Sequence, residues 1–515
     1  MPTEHNTSSS GRRPAERGAR RALVRIAPDD DVAVAVRPLD AGETLTVDGE
    51  PLAITGAVPA GHKVALRPLP EGALVRKYGV AIGVATQAIG RGDWVHSHNL
   101  ATRLDGLQSC AYGPAARAAR AELLSVTFEG YRRADGRVGT RNELWVLNTV
   151  GCVNHAAERI ARSAAERFAG VVDGVHAFGH PYGCSQLGDD LRRTQAVLAG
   201  LLRHPNAGGV LVLGLGCENN QIDALLARAG EVDRTRIAFF NSQDVSDELA
   251  QGGHVLDALA ARAGADRRET CSASDLVLGH KCGGSDGFSG ITANPLLGRL
   301  ADRLTAMGAA VLLSEVPEMF GAEQELMNRC NTEATFNALT ALVNDFRRYF
   351  IDHGQPVHEN PSPGNKAGGL TTLEEKSLGA IQKGGRATVT QVLRYGAPVR
   401  GGGLALVEAP GNDGVSSTAM TVAGATLLLF TTGRGTPLGF PVPTIKVSSN
   451  SALAARKPHW IDFDAGRLLD GDVTMDEMEN DLLAHVLAVA SGDRLANNEV
   501  HGYREIAIWK DGVTL

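Results

Sequence analysis

Aromatic residues and runs of positive charge are both scarce in this sequence. Phenylalanine, tryptophan and tyrosine make up only 5% of the chain, which leaves few rings on which nucleobases could stack. The formal net charge is −7, and no long basic run follows the first 21 residues. These features argue against nucleic acid and against an anionic membrane as the main partner. They are compatible with a small anionic substrate held by a few local arginine and lysine residues.

The sequence also lacks a segment that would direct it into a membrane. No apolar run reaches the roughly 18 residues needed to span a bilayer. The opening stretch MPTEHNTSSSGRRPAERGARR has no apolar core of the kind found in signal peptides. We therefore interpret residues 1–21 as a disordered extension and expect a cytoplasmic protein.

Paired cysteines are missing as well. The chain has seven cysteines, an odd number, and none forms a Cys-x-x-Cys pair, which argues against a secreted disulfide framework and a zinc ribbon. What is present is a repeated pattern, in which an apolar run ends in glycine and then in a cysteine among polar residues: Cys152, Cys184, Cys217 and Cys282. The first three are 32 and 33 residues apart, about the length of one βαβ unit.

Two patterns of secondary structure divide the chain. From residue 22 to residue 100, short alternating strands between glycine and proline turns predict a small all-β domain. Residues 101–126 carry no clear strand and are interpreted as a linker. Beyond them, apolar strands alternate with amphipathic helices, which is typical of parallel α/β architecture. We place a second α/β domain at 127–268 and a C-terminal catalytic domain at 269–515.

The four cysteine loops and two further loops, GNDG and TGRGTP, each follow a predicted strand. In open α/β sheets, ligands bind outside the carboxyl ends of the strands, near a switch point in the strand order. We therefore expect these loops to lie at one edge of one sheet and to converge on one site. Three interpretations of the cysteines stay open: a shared metal site, an iron–sulfur cluster, or small buried hydrophobic residues.

Long uninterrupted motifs run through the chain, among them KYGVAIG, YRRADGRVGTRNELW, HPNAGGVLVLGLGCENNQ, KCGGSDGFSGITANP, EVPEMFGAEQ and NPSPGNKAGGLTTLEEKSLG. Through them the sequence resembles the altronate/galactarate dehydratase family from about Ala22 to Leu515. The resemblance implies a multidomain α/β protein: a small all-β SAF-type (β-clip) domain, a middle domain with a dimer contact, and a C-terminal Rossmann-like variant with a parallel sheet. It also implies a homodimer that dehydrates a sugar acid to a 2-keto-3-deoxy acid with Fe²⁺, replaceable by Mn²⁺.

Dehydration of an aldonate removes the proton at C2, beside a carboxylate, and expels the C3 hydroxyl. That proton is weakly acidic, and the developing enediolate needs concentrated positive charge, which a divalent metal supplies. As metal ligands we predict four carboxylates in loops that follow strands: Glu218, Asp286, Glu315 and Asp413. His180 is a further candidate ligand. Histidines of the first domain form an alternative metal site: His62, His96 and His98.

The other candidate residues are assigned by side-chain chemistry. For proton transfer we predict His180 and Lys281, and a lysine base would need a lowered pKa. The thiols near them are also candidate catalytic groups: Cys184, Cys217 and Cys282. Three cations are predicted to bind the substrate carboxylate: Arg141, Lys366 and Arg434. Four amides are predicted to bind its hydroxyl groups: Asn219, Asn220, Asn365 and Asn412.

The overall similarity implies altronate as the expected substrate, and galactarate, with a carboxylate at both ends, is the close alternative. Two alternatives come from other functional classes: an iron–sulfur redox protein and a sugar-acid-binding protein without turnover. The density of acidic, basic and thiol groups in the loops favours an enzyme over a binding protein.

Overall fold

The computed structural model describes residues 21–107, 110–113, 126–512 and 514. The predicted extension therefore lies outside the described residues except for Arg21, and the predicted linker at 101–126 is described only in part. The described residues form a small antiparallel part followed by two parallel α/β parts. This arrangement confirms the predicted fold class.

Nine short strands build the small all-β part, and every pair among them is antiparallel. Their apolar residues alternate or cluster toward the inside, as in β-strands with one face on a core. Their bounds are Leu23–Val24 (β1), Val32–Ala35 (β2), Thr44–Val47 (β3), Glu50–Ala53 (β4), Lys63–Ala65 (β5), Leu74–Lys77 (β6), Val80–Ala85 (β7), Trp94–Val95 (β8) and Leu100–Ala101 (β9). The strand orders are β1-β2-β5-β8, β3-β4 and β6-β7-β9.

The middle part combines an antiparallel sheet with a four-stranded parallel sheet flanked by helices. Its strands are Thr127–Arg132 (β10), Val138–Gly139 (β11), Glu143–Asn148 (β12), Gly174–Phe178 (β13), Ala207–Gly214 (β14), Ile237–Asn241 (β15) and Glu269–Ser272 (β16). Its α-helices are Asn154–Arg167 (α1), Gly188–Leu202 (α2), Ile222–Ala229 (α3) and Glu248–Ala263 (α4). The parallel sheet has the order β13-β12-β14-β15, and every residue of β12 and β14 is buried, as expected between two helical layers.

The C-terminal part contains a seven-stranded sheet in which all pairings are parallel. Its strands are Val277–Cys282 (β17), Ala310–Leu313 (β18), Val389–Leu393 (β19), Gly403–Val407 (β20), Leu427–Thr432 (β21), Thr444–Ser448 (β22) and Phe463–Asp464 (β23). Its α-helices are Ala293–Met307 (α5), Glu323–Met327 (α6), Glu333–Asp352 (α7), Pro363–Ala367 (α8), Leu373–Ala380 (α9), Asp413–Val422 (α10), Ser451–Arg456 (α11), Arg467–Asp470 (α12), Met475–Ser491 (α13) and Asn497–Val500 (α14).

The strand order of this sheet, β19-β20-β18-β17-β21-β22-β23, contains a switch point. After β17 the chain first builds the sheet in one direction and then crosses back, so that β21 pairs with the other side of β17. The loops that leave β17 and β21 therefore diverge at their carboxyl ends and open a crevice between them. Ligands of open α/β sheets bind in such crevices.

Two buried lysines dock the small all-β part onto α9. Lys63 Nζ donates to both carboxylate oxygens of Glu375, at 3.0 and 2.8 Å, and to the carbonyl of Gly369 at 2.8 Å. Lys77 Nζ donates to the same carboxylate at 2.8 Å. All three charged side chains are at most 1% exposed. One carboxylate thus joins two ammonium groups across the boundary between the two parts.

The middle and C-terminal parts are joined by helix packing and by the end of the chain. Gly200 of α2 packs so closely on α10 that a Cβ there would lie 2.5 Å from the Cβ of Val422. The backbone N–H groups of Asp511 and Gly512 each donate to Asp190, at 2.8 Å. Across the part of the chain that the structure describes, no helix has the length and apolar character needed to cross a membrane.

Candidate active site

A group of buried charged side chains lies at the carboxyl edge of the seven-stranded sheet. We call it the lysine–glutamate cluster. Lys281 and Cys282 end β17, Glu315 follows β18, and Glu318 lies in the 3₁₀ turn after it. Helix α9 and the turn behind it supply the other cations, and the full set is Lys281, Cys282, Glu315, Glu318, Lys376 and Lys383. Buried charges are costly unless they are paired, and such clusters are characteristic of functional sites.

Lys281 is held by two carboxylates. Its ammonium group donates to Glu315 and to the carbonyl of Cys282, the latter at 2.6 Å, and forms an ion pair with Asp413 at 2.8 Å. Burial alone would lower the pKa of Lys281, but Glu315 and Asp413 raise it well above its ordinary value. The predicted role of Lys281 as a base therefore does not fit this arrangement, because a base must first lose its proton. A fixed ammonium group is instead suited to stabilising negative charge.

Lys383 connects Glu315 with the thiol of Cys282. Its ammonium nitrogen lies 2.8 Å from Glu315 Oε2 and 2.7 Å from Cys282 Sγ. Burial, reinforced by Glu315, raises the pKa of the Cys282 thiol to about 12. Cys282 is therefore a buried thiol here and not an exposed nucleophile. Its predicted catalytic role stays a prediction.

Glu315 has an unusual backbone conformation. Its φ is +62°, in the left-handed region that non-glycine residues rarely adopt. Both oxygens of its side chain accept hydrogen bonds from lysine ammonium groups. Burial would raise the pKa of Glu315, but Lys281 and Lys383 lower it below its usual range. Strain of this kind persists only where the surroundings impose it, and it is concentrated at functional sites.

Glu318 completes the cluster from the side of α9. Its Oε1 accepts a hydrogen bond from Lys376 Nζ at 2.9 Å, and its Oε2 lies 3.6 Å from Cys282 Sγ. Lys376 also donates to the side-chain oxygens of Asn360 and Asn365, at 2.9 and 3.2 Å. The cluster therefore reaches the short helix α8, in which the predicted residue Asn365 lies.

Asp413 is the part of this arrangement that is open to solvent. It begins α10 at the carboxyl side of β20, and its side chain is 37% exposed, although its partner Lys281 is fully buried. The preceding residue, Asn412, uses its side-chain oxygen to accept the N–H of Val415 at 3.1 Å and so caps the helix. A bound ligand would meet Asp413 before it met any lysine of the cluster.

The loops at the switch point contribute two more predicted residues. Arg434 follows β21 with an exposed side chain, and its Cβ would lie 3.3 Å from a Cβ added at Gly284 in the loop after β17. Lys366 is half-buried in α8. Asn365, in the same helix, donates to the carbonyl of Ser285 at 2.8 Å, which fixes the loop after β17. The predicted contacts of these residues with a substrate stay predictions.

Asp286 is buried in a network of donors in the same crevice. Its Oδ1 accepts hydrogen bonds from the N–H groups of Phe288 and Ser289 and from the hydroxyl groups of Ser289 and Ser449. Its Oδ2 accepts one from Asn450 at 3.1 Å. Burial raises the pKa of Asp286, and these donors oppose that effect. The side chain thus organises the loop, and both of its oxygens are already engaged.

Three of the four cysteine loops lie on the other parallel sheet. The prediction that all of these loops meet at one edge of one sheet was therefore wrong. Cys152, Cys184 and Cys217 follow β12, β13 and β14 of the middle part, whereas Cys282 ends β17. The sequence pattern is the same because both sheets consist of buried parallel strands that end in glycine loops. The two sheets can be told apart only by their pairing.

The polar residues around the three cysteines of the middle part mainly form hydrogen bonds with backbone groups of the loops. Glu218 accepts the N–H groups of Leu215 and Gly216, at 3.0 and 2.7 Å, and the hydroxyl of Thr149. These bonds lower the pKa of Glu218 against the opposing effect of burial. The other predicted residues there have similar partners: Asn219 accepts from Ser185 N, Asn220 donates to Thr149 O, and His180 Nε2 lies 2.8 Å from Asn148 O.

The three predicted histidines of the small all-β part pack against one tryptophan. His62 Nδ1 accepts the indole N–H of Trp94 at 3.2 Å, and its Nε2 lies 3.3 Å from the carbonyl of Ala367. The rings of His62 and His96 are 4.9 Å apart, and both His96 and His98 lie against Trp94. Burial lowers the pKa of His62 and lowers that of His96 to about 4. Their alternative role as metal ligands stays a prediction.

Three donors of the cluster lie close enough together to share one metal ion. Among the described residues, Cys282, Glu315 and Glu318 are the group of three or more candidate ligands whose atoms all lie within 4.8 Å of one another. Lysine ammonium groups, however, contact Cys282, both oxygens of Glu315 and one oxygen of Glu318. A divalent cation would be repelled by these ammonium groups. The donor set does not fit iron while the lysines are charged. Of the four predicted ligands, the structure joins only Glu315 and Asp413, through Lys281.

Three groups of the cluster are not among the site residues predicted from the sequence: Glu318, which follows Glu315 in the same motif, Lys376 and Lys383. The two lysines follow the motif NPSPGNKAGG, but they lie within a helix and a helical turn. Lysine in a helix is usually solvated, so composition alone gives no signal for their burial. The buried apolar residues on both sides of Lys376 are the feature that could have indicated it.

Arg141 has a structural role in place of the predicted contact with substrate. It precedes β12 and is 2% exposed, and it forms a bidentate pair with Glu499 at 2.7 and 2.9 Å. Its NH1 donates to the carbonyls of Thr140 and Val489. Arg141 thus lies at the amino edge of its sheet, whereas the predicted substrate loops lie at the carboxyl edges of the two sheets.

We expect the substitution Arg141→Leu to lower the free energy of unfolding by about 3–5 kcal/mol, because it removes the bidentate partner of the buried Glu499 carboxylate and leaves only Arg504, at 3.6 Å, to pair with it. The Michaelis constant for the substrate should not change. Urea denaturation and steady-state kinetics measure the two effects, with the exposed Arg137→Leu as control. An increased Michaelis constant with unchanged stability would restore the substrate-binding role.

Three family models match the chain in the order of its structural parts. They are the altronate/galactarate dehydratase SAF domain at residues 21–103, the D-galactarate dehydratase/altronate hydrolase second domain at 130–264, and the D-galactarate/altronate dehydratase C-terminal domain at 273–514. The chain belongs to the altronate/galactarate dehydratase family. The family boundaries place the lysine–glutamate cluster in the C-terminal domain and the three cysteines after β12, β13 and β14 in the second domain.

Characterised relatives match over nearly the full length. The chain is 47% identical to the altronate dehydratase of Bacillus subtilis, over 96% of this chain and 100% of that protein. It is 49% identical to the altronate dehydratase of Escherichia coli, over 96% and 99%. Identity to the galactarate dehydratase (L-threo-forming) of Escherichia coli is 35%, over 94% and 96%. The chain is thus more similar to the two altronate dehydratases than to this galactarate dehydratase.

Proposed function

We propose that this chain is a hydro-lyase that converts D-altronate to a 2-keto-3-deoxy acid and water. The observation that carries the proposal is the identity of 47–49% to two altronate dehydratases over 96% of the chain, against 35% to a galactarate dehydratase. The lysine–glutamate cluster at the carboxyl edge of the seven-stranded sheet supplies the positive charge that an enediolate intermediate needs.

The reaction needs a base for the C2 proton and positive charge for the enediolate. Asp413 is suited to be the base, because its carboxylate is partly exposed and Lys281 holds it in place at 2.8 Å. The enediolate would form within reach of Asp413 and hence near the ammonium group of Lys281. Preorganised charge of this kind stabilises a transition state without further reorganisation.

The same carboxyl group can complete the elimination. The C2–H bond breaks and its proton moves to Asp413; the C3–O bond then breaks, and Asp413 returns the proton to the departing hydroxyl, which leaves as water. The remaining enol rearranges to the 2-keto acid. We assign Arg434, which is exposed at the switch point, to the substrate carboxylate, because a guanidinium can form two hydrogen bonds with it. Glu315 and Lys383 position Lys281 from behind.

The proposal also includes the features that the family resemblance implies. These are a requirement for Fe²⁺, replaceable by Mn²⁺, a homodimer and a cytoplasmic location. No step of the elimination is assigned to the metal at the lysine–glutamate cluster, because the donors there already contact ammonium groups. The seven cysteines are all free thiols, which is compatible with a reducing compartment.

The first experiment is a substrate comparison. Protein purified without oxygen is incubated with Fe²⁺ and either D-altronate or galactarate, and the 2-keto-3-deoxy acid formed is quantified. We expect product mainly from altronate and a loss of activity with a chelator. Product mainly from galactarate would keep the reaction class and overturn the substrate. No product from either acid, with iron present, would overturn the proposed function.

A further inference from the structure

The three cysteines of the middle part lie together on one rim. Cys152, Cys184 and Cys217 follow β12, β13 and β14, which are neighbours in the sheet order β13-β12-β14. All three strands are parallel, so their carboxyl ends open at the same edge. We call these residues the cysteine rim. None of them takes part in the elimination proposed above.

A glycine before each cysteine brings the loops close together. A Cβ at Gly151 would lie 2.8 Å from the carbonyl oxygen of His180, and one at Gly183 would lie 2.1 Å from that of Thr149. At Gly216 it would lie 2.7 Å from the side-chain oxygen of Gln243. Gly183 and Gly216 also have φ values of +103° and +129°. The backbones of the Cys152 and Cys184 loops therefore approach each other as closely as glycine allows, and beside Cys217 the absent side chain makes room for Gln243.

Hydrogen bonds join the three loops to one another. Gly151 N donates to Tyr182 O at 2.9 Å, which connects the Cys152 loop with the Cys184 loop. Asn220 N donates to Gly183 O at 3.1 Å, and Asn219 Oδ1 accepts the N–H of Ser185 at 2.7 Å. These two bonds connect the Cys184 loop with the Cys217 loop. The rim is thus preorganised by the backbone and by Asn219.

The exposure of the thiols distinguishes the rim from the other cysteines. Cys152, Cys184 and Cys217 are exposed, whereas the four other cysteines of the chain are buried or half-buried. Free cysteine is among the residues most often buried. Three exposed thiols on one preorganised edge therefore suggest a binding site for a metal ion or a metal cluster that thiolates coordinate.

The spacing of the sulfur atoms argues against a single ion, and the charge of the surroundings favours a cluster. The three sulfur atoms do not all lie within 4.8 Å of one another, which is too open for one tetrahedral ion bound by all three thiolates. Thiolates of an iron–sulfur cluster bind separate irons and lie further apart. Helices α1, α2 and α3 begin just after the three cysteines, and their amino ends stabilise the negative charge that a thiolate-bound cluster carries.

We propose that Cys152, Cys184 and Cys217 bind a four-iron, four-sulfide cluster through three thiolates. The fourth iron then has no cysteine ligand and is open to an oxygen-bearing small molecule. Glu218 does not compete for this position, because Thr149, Leu215 and Gly216 already donate to its carboxylate. The site is separate from the lysine–glutamate cluster, since the two lie on different sheets.

The full chain is reconstituted without oxygen with ferrous iron and sulfide and then desalted. We expect about four irons and four acid-labile sulfides per chain and a broad absorption near 400 nm, as for thiolate-bound clusters. Cys152→Ser, Cys184→Ser and Cys217→Ser should each lose most of the bound iron and sulfide. Cys110→Ser, a half-buried cysteine outside the rim, is the matched control and should retain both.

A second measurement does not depend on the variants. Iodoacetamide is added to the apo and the reconstituted chain, and the modified cysteines are identified by mass spectrometry. The three rim thiols should react in the apo chain and be protected after reconstitution. Iron bound without sulfide, cluster content unchanged in the rim variants, or equal labelling in both forms would overturn the proposal. Neither measurement needs altronate turnover, so failure of the proposed function would leave this test intact.

Discussion

The substitution Asp413→Asn should lower kcat for altronate by about 10²–10⁴-fold, the usual contribution of a positioned general base. An amide of the same shape cannot take up the C2 proton, whereas the neighbouring charge of Lys281 remains in place. The Michaelis constant should change little, because Asp413 is not assigned to ground-state binding. Steady-state kinetics with altronate measure both constants.

Hydrogen exchange at C2 separates a chemical role of Asp413 from a structural one. In heavy water the native chain should exchange the C2 proton of bound altronate or lose it during turnover, and Asp413→Asn should do neither. Asp472→Asn, an exposed aspartate of the same domain, is the control for carboxyl loss. A kcat within tenfold of the native value would move the base elsewhere, with Glu318 as the next carboxylate to test.

Hydrophobic patterning predicted the parallel strands well because it reports burial directly. The run that became β14 is a continuous apolar segment, as expected for a strand covered on both faces. The run that became β17 begins with Val277 and Leu278 and is buried almost throughout, although it ends in His280, Lys281 and Cys282. Patterning carries no information on which strands pair. Cys217 and Cys282 therefore looked equivalent in sequence, although they lie on separate sheets.

The site was predictable where a residue follows a strand and not where it lies on a helix. Glu315 and Asp413 were found because they stand at carboxyl strand ends. Lys376 and Lys383 were missed because helical lysines are usually solvated, and only the packing of α9 buries them. Arg141 was assigned to the substrate by its side-chain chemistry alone, and the sequence does not show that its guanidinium pairs with the buried Glu499.

The docking of the small all-β part depends on the charge of Glu375. Replacing it with alanine leaves the ammonium groups of Lys63 and Lys77 buried without a carboxylate. We expect Glu375→Ala to lower the free energy of unfolding by about 3–5 kcal/mol, the range for breaking a buried ion pair from one side. Urea denaturation measures this loss, and the exposed Glu71→Ala should leave stability unchanged.

A triple substitution tests whether the loss comes from unpaired charge or from lost packing. Buried ion pairs can often be replaced by apolar residues of similar volume without a loss of stability, because the desolvation cost disappears along with the attraction. Lys63→Met, Lys77→Met and Glu375→Leu together should therefore be more stable than Glu375→Ala alone. If the triple variant were as unstable as the single one, the carboxylate would act through its bonds to Thr371 and its place in α9, and not through the two lysines.

Since Lys376 follows Glu375 directly and contacts Glu318, the single variant should also reduce altronate turnover, and the triple variant should recover part of it.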